Sequence, residues 1–165
     1  MKPPPPLNWV RRTPRWVAAL VLTYAALLAG VGASTHLADL VCCGLYRYGW
    51  APGWLNLYWA SLVLADFAAA LLLLYGRRTG LYLACVVLST DLAANAYAVY
   101  ALRHSSVATQ PGLQRVAAGT VLLLGTAPAV RSRLPTGARW TRCAARPESS
   151  ALGEPPTSGD VRNTL

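Results

Sequence analysis

Charge is scarce in this chain: 13% of its 165 residues are Asp, Glu, Lys or Arg, where a soluble domain carries about 25%. With 55% hydrophobic residues and a mean hydropathy of +0.36, that scarcity excludes an ordinary water-soluble fold. It also excludes disorder through most of the chain, because disorder needs few apolar residues and many charges. Acids are the scarcest charges, 6 against 15 basic residues, and the formal net charge is +9. The 4 cysteines include no C-x-x-C spacing, so neither a thioredoxin-like pair nor a zinc ribbon is indicated. Adjacent Cys42 and Cys43 leave a bridge between two protomers open, with packing or a free thiol as the simpler use. No P-loop, H-E-x-x-H, G-x-S-x-G or dinucleotide fingerprint occurs. The sequence therefore names no reaction, and no cofactor or metal is expected.

What is present is apolar length. Four stretches, 16–40, 55–75, 80–102 and 113–130, are rich in Leu, Ala and Val. A helix needs about 20 residues to cross the hydrocarbon, and none of the stretches has the period-2 alternation of a barrel strand. The expected fold is an all-α membrane protein with four transmembrane helices in an up-down bundle. Three regions follow: a Pro-rich basic segment 1–15, the transmembrane domain 16–130, and a disordered tail 131–165 whose Arg, Pro, Ser and Gly lack periodicity.

The basic residues orient the bundle. Lys2, Arg11, Arg12 and Arg15 precede the first span, Arg77 and Arg78 lie between the second and third, and six arginines follow the fourth. The other two connections hold Arg47 and Arg103, with Arg115 at the entrance to the fourth span. Basic character alternates from loop to loop, as expected for N-in/C-in insertion with both termini cytoplasmic. Arginines divided among segments form no nucleic-acid stripe, so the net charge reads as a topology signal and nucleic acid is not an expected partner. The expected location is a cell membrane, and the excess of Arg over Lys with abundant Ala and Gly points to a bacterial source. Residues 1–33 also resemble a signal peptide ending in Val31-Gly32-Ala33, whose cleavage would leave three spans. The apolar run continues through Leu40, beyond the usual 7–15 residues of a cleavable segment, and favours retention.

Polar residues inside the spans carry whatever chemistry there is. Asp66 is nine residues from Tyr75 and Asp91 eleven from Gly80. At 1.5 Å per residue both lie about 14–16 Å from the turn joining their helices, so two acids share one depth near the midplane. A charged Asp there costs about 2.5–3.5 kcal/mol, and no Lys or Arg is expected in the central part of a span to offset it. Protonation, a shared proton, a bound cation or water in an internal cavity are the available remedies. Asn95 is one turn from Asp91 on the same face. Asn56 shares a face with Asp66, while His36 and Asp39 continue a small-residue stripe on the first span. If these faces converge, Asp66, Asp91, Asn95, His36, Asp39 and Asn56 line one polar pocket.

Three functions fit this pattern. The first is a structural or accessory protein whose polar residues pin helices together and whose partners are lipid, a second copy or another membrane protein. The second is a binding or transport module with a midplane acidic pocket for protons, a small cation or a lipophilic amine. The third is a membrane enzyme acting on a lipid or isoprenoid, with Asp66 or Asp91 as acid and His36 as base. The bland reading of intramembrane acids, interhelical bonding, places the first ahead of the others.

Overall fold

The structure, a computed structural model, describes residues 7–105 and 110–134. Among the described residues it is all helical, and four helices are long and apolar enough to cross a membrane. The first begins after Pro14 and combines α1 (Arg15–Leu27), a π-helical segment (Leu28–Ala33), α2 (Ser34–Cys43) and a 3₁₀ turn, Gly44–Tyr46. It runs 32 residues from Arg15 to Tyr46, six residues past the expected end at 40. The second is α3 (Gly53–Leu74), which starts after Pro52. The third is α4 (Arg78–Tyr97), continued by a π-helical segment, Ala98–Leu102.

The fourth is α5 (Pro111–Arg133), which carries Pro at its first turn, where the missing N–H costs nothing. Pro128 lies inside α5 without ending it, so Arg131–Arg133, assigned above to the tail, are helical. From residue 135 onward the expected tail, with Cys143, lies outside the described residues, as do residues 1–6.

The segment before α1 is part turn and part extended: Thr13 and Pro14 are extended. Val10–Arg12 form a 3₁₀ turn, and Trp9 is buried, donating from Nε1 to the Leu74 carbonyl at 2.8 Å. Its indole covers Gly76, where φ is +65° and an added Cβ would stand 2.5 Å from the ring. Only glycine meets both demands without strain. Nearby, Arg78 donates from Nε and Nη2 to the Leu134 carbonyl at 3.0 and 2.8 Å. The start of α1, the α3–α4 turn and the end of α5 therefore gather at one end of the molecule, the turn end. The connections around 44–52 and 103–110 mark the loop end.

Between helices in lipid there is little hydrophobic driving force, so close backbone approach does the packing. Small residues fill the turn half accordingly: Ala18 and Ala25 on α1, Ala69 and Ala70 on α3, Gly80 and Ala84 on α4 are all buried. A Cβ at Gly80 would lie 2.6 Å from the Leu73 nitrogen, so α3 and α4 touch backbone to backbone. Val17, Val21, Leu73, Leu123 and Val130 complete this core. Leu57, Leu64, Phe67 and Val121 point outward, as lipid-facing side chains should.

Candidate functional site

Toward the loop end the packing opens into a cavity of about 680 Å³, lined by residues of α1, both π-helical segments, α2, α3, α4 and α5. Both π-helical segments border it: Leu28, Val31 and Gly32 come from the first, Ala98 and Val99 from the second. An inserted residue in a helix re-aims side chains, and such segments recur at functional sites.

Five of the six candidate residues line this cavity: Asp66, Asp91, Asn95, His36 and Asp39. Asp66 and Asp91 thus border one space. Asp66 is 3% exposed and Asp91 8%. Gly32 makes room for Asp66, because a Cβ there would stand 2.5 Å from its Oδ2. Asn95 donates from Nδ2 to Asp91 Oδ1 at 2.8 Å and to the Asp91 carbonyl at 2.9 Å. That partner is on the same helix. No hydrogen bond among the described residues reaches the Asp66 carboxyl.

Besides Arg78 at the turn end, neutral side chains join the helices by hydrogen bonds. Tyr24 Oη meets Thr126 Oγ1 at 2.8 Å between α1 and α5. Tyr58 donates to Thr90 at 2.9 Å between α3 and α4, and Thr120 to the Leu88 carbonyl at 3.3 Å between α5 and α4. The interhelical role that the bland reading gave the acids is filled by others.

Asn56 and Asp39 serve the loop that caps the site. Asn56 is not among the residues lining the large cavity; its Oδ1 accepts from the Tyr48 amide at 3.2 Å, and its Nδ2 donates to the carbonyls of Tyr48 and Ala51 at 3.1 and 3.3 Å. Asp39 is paired with Arg47 and accepts from Tyr48 Oη at 3.1 Å. Burial, reinforced by the neighbouring Asp39, holds the Tyr48 hydroxyl above the ordinary tyrosine range, so it remains a donor. Tyr48 packs edge-on against Trp59, ring centroids 4.9 Å apart. Trp59, an amphipathic ring of the kind that favours membrane interfaces, is buried and lines the cavity. Tyr46, Trp50 and Trp54 are exposed at the same end, in keeping with headgroup anchoring.

Sequence reasoning did not find the contribution of α5. Gly112, Val116 and Gly119 present a small-residue strip to the cavity, and Arg115 lines it as well. The signal was the i, i+4, i+7 spacing of those three residues. Among the described residues no three His, Cys, Asp or Glu side chains gather closely enough to hold a metal ion. Cys42, Cys43 and Cys85 are free thiols. Comparison of the chain with protein-family models, with curated proteins and with solved structures returned no match.

Proposed function

We propose that the chain is a multi-pass protein of a bacterial cell membrane, an up-down bundle with both termini cytoplasmic, that binds an amphiphile carrying an amine. The alternation of basic residues supports the orientation. Asp66 carries the functional reading: it is almost fully buried, has no hydrogen-bond partner among the described residues, and lines a large cavity together with Asp91. A carboxyl retained for packing would bond across helices, whereas one retained for a ligand faces a void. An ammonium group set between the two carboxyls supplies the missing donors and the opposite charge. The surrounding Leu27, Leu28, Val31, Leu122 and Val99 suit an apolar body.

The test uses the full chain in nonionic detergent, with dodecylamine as probe and dodecanol as its uncharged counterpart. Dodecylamine at about 100 times its Kd stabilises by about 2.7 kcal/mol and should raise the unfolding temperature, while dodecanol should not. Asp66→Asn and Asp91→Asn should fold with unchanged stability and lose the dodecylamine response. Gly32→Ala, which pushes against Asp66 Oδ2, should weaken the response about tenfold, equivalent to about 1.4 kcal/mol. Asn variants that unfold outright, or that bind dodecylamine as well as the parent, would return the acids to a scaffold role.

A further inference from the structure

Arginines as well as aspartates line the cavity: Arg103 and Arg115 beside Asp39, Asp66 and Asp91. Arg115 lines it from α5 and forms no ion pair among the described residues. The depth of Arg115 follows from helix register. Thr120 Oγ1 donates chiefly to its own-helix Val116 carbonyl at 2.8 Å and lies 3.3 Å from the Leu88 carbonyl, a contact that marks the register of α5 against α4. Arg115 lies five residues before Thr120 and Asp91 three after Leu88, both toward the loop end. At 1.5 Å per residue those offsets are about 7.5 and 4.5 Å, so the backbones of Arg115 and Asp91 differ in depth by only about 3 Å. They stand on different helices around one space without meeting.

Asp66, 97% buried by its 3% exposure and without a hydrogen-bond partner, faces the same space. Asp39 is already engaged by Arg47. Arg103 also lines the cavity and lies over the Trp50 ring, 5.5 Å from its centroid, so the Asp66 carboxyl, the Asp91 carboxyl beside Asn95 and the Arg115 guanidinium are left to a ligand. A simple cation would satisfy the acids and be repelled by Arg115, while a simple anion would meet the reverse. A molecule with an ammonium and an anionic oxygen a few ångströms apart satisfies all three.

Polarity along the cavity agrees with this. Beyond the acids toward the turn end its walls are Leu27, Leu28, Val31 and Leu122. Leu27, Val31 and Leu122 are also 52%, 56% and 56% exposed. They border the space where the first and last spans face each other, on the loop side of the Tyr24–Thr126 bond that joins those spans. An apolar tail can lie along these walls while its polar head stays by the acids.

Building on the amine-binding reading, we infer that the site takes a zwitterion of the ammonium–phosphate type, its ammonium on Asp66 and Asp91 and its phosphate on Arg115. A phosphoethanolamine headgroup has this chemistry, whether free or as part of a lipid.

The experiment titrates the full chain in nonionic detergent with dihexanoylphosphatidylethanolamine, free phosphoethanolamine and dodecylamine, in the parent, Arg115→Gln and Arg115→Lys. Arg115→Gln should weaken dihexanoylphosphatidylethanolamine about tenfold, the scale of one charge-assisted contact, and leave dodecylamine binding equal or tighter. Arg115→Lys should restore part of the loss. Tighter binding of the lipid than of free phosphoethanolamine supports a lipid source, and equal binding supports a soluble zwitterion. Equal lipid affinity in the parent and Arg115→Gln overturns the inference, as does parallel weakening of the lipid and dodecylamine. So does binding of dodecylamine alone with neither zwitterion bound, which leaves the amine-binding reading intact. Failure of dodecylamine to bind the parent would instead remove that underlying reading.

Discussion

The turn half and the loop half of this bundle are built on opposite principles. Near the turn, small residues let α1, α3 and α4 approach until backbone meets backbone at Gly80, and Val17, Val21, Leu73 and Leu123 are sealed from solvent. Near the loops the helices part, two of them pass through π-helical segments, and acids, amides and an arginine surround open space. Stability concentrated at one end permits an unpacked, polar site at the other, because a site kept free for a ligand contributes few contacts of its own. Glycine shows the division well. At Gly80 an added methyl group would meet Leu72 and Leu73, while at Gly119, on the cavity wall, it would meet nothing within 4 Å.

Substitutions that exploit this contrast should separate the halves. Gly80→Ala forces apart backbones that cannot yield locally and should cost about 3 kcal/mol or more, read as a lowered midpoint in denaturant. A cost below about 1 kcal/mol would show that the turn half is looser than described. Asn56→Ala removes three hydrogen bonds that fold residues 48–51 over the site. It should cost about 2 kcal/mol and speed amide exchange in that loop, with exchange at the α3–α4 turn unchanged. Exchange that rises equally at both ends would erase the division. Gly119→Ala should have the smallest effect, a gain of about 0.5–1 kcal/mol from helix propensity in the same denaturant assay. A loss there would mean that the cavity wall is packed after all.

Much of the fold is legible in the sequence, since length and hydropathy alone mark four spanning helices. Counting along a hairpin with a short turn leads to the expectation that Asp66 and Asp91 share a depth, and the structure places both on one cavity. Counting cannot reach α5, whose register against α4 depends on the Thr120–Leu88 contact rather than on any turn length. Arg115, placed by the sequence at the entrance to its span, is consequently brought near the depth of the acids. The π-helical segments carry no periodic signature, so the re-aiming of Gly32 and Ala98 was hidden. Asn56 and Asp66 share a helical face, yet periodicity does not reveal that Asn56 turns to the loop backbone while Asp66 turns to the void. Trp59 fits an interfacial belt and a buried wall equally well by composition, and its contact with Tyr48 decides between them.

The proposed function stands or falls with a ligand meeting the two carboxyls. Difference infrared spectroscopy of the purified chain, recorded before and after dodecylamine is added, addresses those groups directly. An ammonium bound between the carboxyls should change the Asp carboxyl bands, and that change should be absent from the Asp66→Asn, Asp91→Asn double variant. Bands that stay fixed while dodecylamine demonstrably binds would contradict it.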